Sequence, residues 1–296
     1  MEWRKNINLW ICACVGALVF SPLLAGRALS QPLIESTPHG IIDWTLGIAW
    51  AHGSGSAAGA VVGGSLDKQT SVALDSAREN LLRVLRQVRI GAEGTVDDLS
   101  KVDARTMSQI RDMVAGTEAR HESRAQETQN TVQVSLKMSF RGGFAQLVLP
   151  AEIISIAPLK QVGGSSSTSA PSRRADLFTG LIVDGTHLNG KPAMAPKIMD
   201  ENGEEIFGSA FASREFAVQR GMTGYAADLE TARNDSRVGR NPLVAKALAV
   251  KSPQRCDMVI SNADAARLRK FSEHLLFLRE CRVIIVLSPN AVGDPP

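Results

Sequence analysis

A run of small and polar residues, Gln161-Val-Gly-Gly-Ser-Ser-Ser-Thr-Ser-Ala-Pro-Ser-Arg-Arg174, sets the plan of this chain. Such residues bury too little apolar surface to offset the entropy of being ordered, so the stretch reads as a flexible linker. It leaves two pieces, each needing packed layers of its own. The expected organisation is a first α+β unit over 31–158, a linker over 159–176, an α/β unit over 177–289 and a tail over 290–296.

Residues 1–30 stand apart. Arg4 and Lys5 precede an apolar run from Leu9 to Phe20, Pro22 breaks it, and Ala25, Gly26, Ala28 and Ser30 follow. A positive end, an apolar middle and a small-residue exit make a secretory signal peptide. Cleavage fits after Ser30 and also after Ala25. The run from Leu9 to Ala25 is 17 residues, short of the about 20 that span a bilayer, and a retained anchor is the second reading. Ile11-Cys12-Ala13-Cys14 faintly resembles a lipoprotein cleavage box, but most of the apolar run follows it. The expectation is an exported protein, periplasmic or outer-membrane associated. Its membrane contact would come only through the leader or a lipid anchor.

Without the leader, 30 basic and 29 acidic side chains remain of 33 and 30. A near-neutral balance with few aromatics points away from nucleic acid. Arg83, Arg86 and Arg89 read as part of a solvated basic helix face. Cys256 and Cys281 form an even pair in an oxidising setting. If the strands they precede are neighbours, a disulfide can join them; the alternative is two unrelated thiols.

In the first region, residues 41–52 are rich in β-branched and aromatic residues and read as a strand. Residues 53–65, mostly Gly, Ser, Ala and Val, read as a flexible loop. Leu74, Ala77, Leu81, Leu85 and Val88 recur at three- and four-residue steps, which predicts a helix from Asp67 to Arg89, stopped by Gly91. Ser100-Lys101-Val102-Asp103 resembles a capping box for a second helix with Met107, Ile110 and Val114 inward and Gly116 at its end. Thr117–Gln126 reads as an exposed strand. Thr131–Phe140 alternates as a half-buried antiparallel strand. An antiparallel sheet backed by two helices is the simplest packing.

These segments carry a resemblance. "IIDWTLGIAWAHGSG", then "ALDSARENLLRVLRQVRIGAEGTVDDL", "IRDMVAGTEARHES" and "TVQVSLKMSF" together resemble the LPP-type surface lipoprotein family, and are similar to the N-terminal domain of flagellar assembly protein T. The resemblance covers about residues 40–150. It implies an exported, envelope-associated protein, in some members near the flagellar base, and supplies no catalytic residues.

In the second region, Phe178–Val183 reads as a strand. Ala193–Met199 and Glu205–Phe207 flank Asp200-Glu201-Asn202-Gly203, a hairpin signal. Phe211–Gln219 reads as a short helix or irregular, Tyr225–Gly239 as a loop or frayed helix, and Leu243–Val250 as a strand. Met258–Ile260, a helix through Ala265, Leu268, Phe271, Leu275 and Leu278, and Val283–Leu287 form a strand–helix–strand unit expected to be parallel.

Catalytic motifs fail on inspection. Gly53–Gly64 lacks the Gly-Lys-Ser/Thr of a phosphate loop. Ser54 and Ser56 do not sit in a nucleophile elbow. His121-Glu122 lacks the second histidine of a zinc site, and His39, His52, His187 and His274 have no ligand spacing. Asp200, Asn202, Glu204 and Glu205 fall short of a calcium loop. No cofactor or metal is expected, and the chain is not read as an enzyme. The expected role is structural or assembly-related, through contacts with other envelope proteins, flagellar base components among them. The alternatives are a periplasmic small-ligand binder or enzyme using the second region, and an adhesin-like surface component.

Overall fold

The computed structural model describes residues 31–56, 66–118, 120–122, 131–153 and 177–290. Residues 1–30, read as a leader, the 57–65 part of the glycine loop, 123–126 of the strand expected over 117–126, the expected linker and residues 291–296 lie outside the described residues, as do the expectations made for them.

The first region begins with β1 (Ile34–Thr37), β2 (Gly40–Asp43) and β3 (Ile48–Ser56). The single strand expected over 41–52 is thus a hairpin. Asp43 causes the break: its carboxylate accepts the Leu46 amide at 2.9 Å, its carbonyl accepts the Gly47 amide at 2.8 Å, and Gly47 takes φ +67°, a turn for which Asp and Gly are suited. There follow α1 (Leu66–Arg86), β4 (Arg89–Gly91), β5 (Gly94–Thr95), α2 (Val96–Val102), α3 (Ala104–Ala115), β6 (Arg120–Glu122), β7 (Thr131–Ser139) and α4 (Gly143–Val148). The sheet order is β1-β2-β3-β7-β6, antiparallel throughout. Val134, Leu136, Met138 and Phe140 are buried, as the alternation predicts.

The glycines of the expected loop do something else. Gly53 and Gly55 lie in β3 and face α1. A Cβ at Gly53 would stand 2.1 Å from the Ala73 carbonyl oxygen and 2.2 Å from the Ala77 nitrogen; one at Gly55 would stand 2.1 Å from the Gln69 oxygen. Alternate glycines on one face, set against Ala73 and Ala77, let helix and strand approach more closely than side chains allow. Leu81 and Leu85 complete the buried stripe of α1.

Helix α1 stops at Arg86, and Arg89 leaves the helix face for β4. The capping box belongs to Thr95 and Asp98, so Ser100 falls inside α2. Asp103 caps α3 by accepting the Arg105 and Thr106 amides at 3.0 and 3.2 Å. Met107, Ile110 and Val114 are buried, and Gly116 closes the helix, as expected. α3 packs on α1 and α4, so α1 is the helix that covers the sheet.

The second region contains β8 (Gly180–Asp184), β9 (Ile198–Met199), β10 (Glu205–Phe207), α5 (Arg214–Arg220), β11 (Gly224–Ala226), α6 (Leu229–Asn234), β12 (Pro242–Lys251), β13 (Asp257–Ile260), α7 (Asn262–Arg269), α8 (Ser272–Arg279) and β14 (Val283–Val286). The order is β10-β9-β13-β12-β8-β14-β11. β11, β14, β8 and β12 run parallel, whereas β13 is antiparallel to β12. The whole chain is therefore α+β. The stretch Tyr225–Gly239, expected as a loop or frayed helix, holds part of β11 and the helix α6, which Asp228 caps through the Thr231 amide at 2.7 Å.

Two expectations about the last unit are corrected. β13 and β14 run in opposite directions, and β12 and β8 lie between them. The reason is the turn after β12, where Ser252 and Arg255 adopt φ +74° and +55° and fold β13 straight back. The single helix is also two, because Phe271 is extended (φ −129°, ψ 138°). That break rotates α8, leaving Leu275 exposed while His274 and Phe277 turn inward. His274 Nε2 accepts the Phe178 amide at 3.0 Å, and Nδ1 lies 3.1 Å from the Arg267 carbonyl, so this histidine is a packing residue.

The cysteines follow from the same topology. Three strand spacings separate the strands they precede, roughly 14 Å, beyond the reach of a disulfide. Cys256 and Cys281 are both free and buried, so the expected Cys256–Cys281 bridge is not formed. Burial pushes both thiols up to about 12.

The hairpin over 200–203 is present, with only Gly203 at positive φ. Asp200 Oδ1 accepts the Asn202 and Glu204 amides at 3.0 and 2.9 Å, and Oδ2 meets Arg269 at 2.9 Å. Burial alone would raise the Asp200 pKa; Arg269 and the two amides outweigh it and hold the carboxyl below its ordinary value.

Alternate residues of the parallel strands serve opposite faces. Ile182, Ile284 and Val286 form a small cluster with Val238 and the α6 residue Ala232. Leu181, Val183, Val283 and Ile285 join a core that runs without interruption into Leu81, Leu136 and Phe144 of the first region. The two regions share one apolar interior.

Two outcomes follow. Gly53→Ala should cost about 3 kcal/mol or more in urea unfolding, since backbone must move to admit the methyl. Native protein treated with iodoacetamide at pH 8 should keep Cys256 and Cys281 unlabelled, and both should alkylate after denaturation. In the unfolded chain they ionise near 9 and in the fold only near 12. The stability they contribute is therefore complete below pH 9 and is lost as pH rises toward 12.

Candidate functional site at the seam of the two regions

The seam is organised by Arg89. Its Nε donates to the Pro192 carbonyl at 2.8 Å, its Nη1 to Glu35 Oε1 at 3.0 Å, and its Nη2 to Glu35 Oε2. The Trp44 indole donates to Glu35 Oε2 at 3.0 Å, and the guanidinium lies 5.5 Å from the Trp44 ring centroid. Backbone bonds run beside it: the Met194 amide donates to Arg89 O at 2.9 Å and the Ala195 amide to Ile90 O at 2.6 Å. The strap 192–195 of the second region is thereby tied to β4 of the first.

Tyr225 holds the strap from the other side. Its phenol donates to Ala193 O at 2.7 Å and accepts the Ala193 amide at 2.9 Å. Burial pushes its pKa well above the usual tyrosine value. Its ring meets Trp44 at 6.0 Å between centroids, and Trp44 meets Phe140 at 5.5 Å.

These three rings and Met194 wall a half-open cavity of about 50 Å³, room for a few water-sized groups. Thr223 lines it and is 8 % exposed. Its hydroxyl sits near enough to the Tyr225 phenol to oppose the rise in that pKa, yet it completes no hydrogen bond of ordinary geometry among the described residues. Arg141, next to Phe140 after β7, and Arg220, the last residue of α5, reach the rim. Both are exposed, and neither has an ion pair among the described residues. Arg220 lies 5.3 Å from the Phe216 ring centroid.

Arg237 fixes the loop beneath. Its Nη1 donates to Gly221 O at 3.1 Å and Cys281 O at 2.9 Å, and its Nη2 to Arg220 O. Burial lowers the Arg237 pKa and the charges of Arg141 and Arg220 push the same way, while Cys281 and the Asp235 carboxylate oppose them. Three arginines thus lie near one another; the Arg237 guanidinium donates to backbone carbonyls, and Asp235 supplies an opposing charge.

A second depression is polar and larger, about 350 Å³. It sits beyond the carboxyl ends of β8 and β14 and is lined by Thr186, His187, Lys191, Arg255, Ser288 and Asn290. That is where open α/β sheets commonly take ligands. Arg255 Nε donates to the Asn189 carbonyl at 2.8 Å.

Neither Cys256 nor Cys281 lines the seam cavity. Of the histidines singled out in the sequence, His187 alone lines one of these two depressions. The described residues contain no group of three metal-ligating side chains and no helix long and apolar enough to cross a membrane. Arg141, Arg220, Thr223 and Tyr225 escaped the sequence reading, because they come from separate segments with no local spacing to join them.

A buried hydroxyl that completes no well-formed hydrogen bond is a cost that an apolar isostere removes. Thr223→Val should raise unfolding free energy by about 1 kcal/mol in urea titration; a loss of that size would mean the hydroxyl is satisfied in solution.

Comparison with known proteins adds one match. Residues 180–289, the whole span from β8 to just past β14, match the family described as Treponema pallidum Tp0624, second domain. No curated protein matches the chain. The second region is therefore similar to that domain.

Proposed function

We propose that this chain is an exported cell-envelope protein with a structural or assembly role, acting by holding other envelope proteins. The observation that carries the reading is the seam: two regions of different architecture share one core and are clamped by Arg89, Glu35 and Tyr225. A body held in that way suits presenting fixed surfaces to partners. The buried thiols, held as poor nucleophiles at a pKa of about 12, add support, since thiolate is the reactive form. The leader pattern of residues 1–30 supports the address. The resemblance of residues 40–150 to LPP-type lipoproteins and to the N-terminal domain of flagellar assembly protein T supports the assembly role, with components of the flagellar base as partners. In the Treponema protein the matching unit is a second domain, and here too it follows another region.

A small-ligand or enzymatic role for the second region has one observation behind it, the polar depression beyond β8 and β14. Cell fractionation with cross-linking mass spectrometry separates the readings. The protein should be recovered with the envelope and cross-linked to envelope proteins. Recovery as a free monomer that turns over a metabolite would overturn the proposal, and a reporter fused behind residue 35 that stayed in the cytosol would remove its address.

A further inference from the structure

The seam cavity combines features that serve no evident purpose in holding the fold. Its walls are aromatic and apolar, its floor carries a buried hydroxyl without a completed hydrogen bond, and its rim carries two cations without ion pairs among the described residues. Leaving a buried hydroxyl unsatisfied costs stability, and the exposed Arg141 and Arg220 bring like charge toward the half-buried Arg237, which Asp235 only partly offsets. A ligand that satisfies both would relieve both. Its body must be apolar and compact to enter about 50 Å³, and its head must be anionic. A planar carboxylate suits guanidinium groups, which present donors in a matching fork, and it can also accept from Thr223.

We propose that the seam cavity is a binding site for a compact apolar group bearing a carboxylate, with the apolar part against Trp44, Phe140 and Tyr225 and the carboxylate at Arg141 and Arg220. The site draws on both regions: Trp44, Phe140 and Arg141 come from the first, and Arg220, Thr223 and Tyr225 from the second. The inference does not rest on export or on a role in the envelope. A free small acid and the C-terminal carboxylate of a polypeptide share this chemistry.

The experiment follows the ¹³C-labelled methyl of Met194, which lines the cavity, by NMR in the full chain. The probes are isobutyrate and its amide, and N-acetyl-glycyl-valine with a free or an amidated C-terminus. Saturable shifts with an acid, weaker by about tenfold or more with the matching amide, are expected. Arg141→Gln and Arg220→Gln, both exposed positions, should each weaken acid binding several-fold, and raised salt should do the same in the parent protein. Thr223→Val should weaken it while leaving the protein folded. Tighter binding of isobutyrate points to a free acid as the occupant, and tighter binding of the peptide points to a chain terminus; either supports the proposal. It is overturned if neither acid shifts Met194, if amides bind as well as acids, or if the arginine variants and salt leave binding unchanged.

Discussion

The buried guanidinium of Arg89 is the interaction on which the two-region body depends. A charge removed from water must be matched in both sign and hydrogen bonds. Glu35 supplies the opposite charge in a two-pronged pairing, Pro192 a carbonyl, and Trp44 a ring face. No one element could provide all of these. Glu35 lies in β1, Trp44 in the turn after β2, and Pro192 in the strap of the other region. Loss of one partner of such a pair typically costs 3–5 kcal/mol, chiefly because the survivor stays buried and unmatched. The pair therefore contributes less to net stability than to fixing one relative arrangement of strap, strand and turn. Lysine could not substitute, since a point charge lacks the planar fork.

That arrangement places Trp44 against Phe140 and Tyr225, and so makes the seam cavity a by-product of the clamp. The apolar core is continuous beneath it. The polar groups around it divide into two sorts. Arg89, Glu35 and Tyr225 are hydrogen-bonded and hold the fold. The Thr223 hydroxyl completes no hydrogen bond among the described residues, and it lines the same cavity as the exposed Arg141 and Arg220.

Much of the fold was legible because it rests on periodicity. The alternation of Val134, Leu136 and Met138 and the stripe of Ala77, Leu81 and Leu85 each name a buried face, and each is buried. What failed was wherever a local pattern met a tertiary demand. Gly53 and Gly55 resemble loop residues in sequence, and only the closeness of Ala73 and Ala77 explains them. Arg89 sits in register with a helix face, yet the chain leaves the helix just before it. The helical stripe through Leu268, Phe271 and Leu275 conceals a break, because Phe271 as an extended residue leaves no mark in a hydrophobic pattern. The direction of β13 was set by two residues in the turn after β12, neither a glycine. The cysteine pairing inherited that error. The seam residues were illegible for a different reason: Arg141, Arg220 and Thr223 become neighbours only after both regions are built.

The position of β8 has a consequence for how the molecule assembles. It pairs with β12, about sixty residues later, and with β14, about a hundred residues later. This interior strand thus waits for β14 before both of its edges are covered. Contacts so distant in sequence make folding slow, and an uncovered apolar edge invites pairing with other chains in the meantime. The nascent protein is most exposed to aggregation in the interval before Val283–Val286 arrives, and this four-residue strand acts as the latch that ends it.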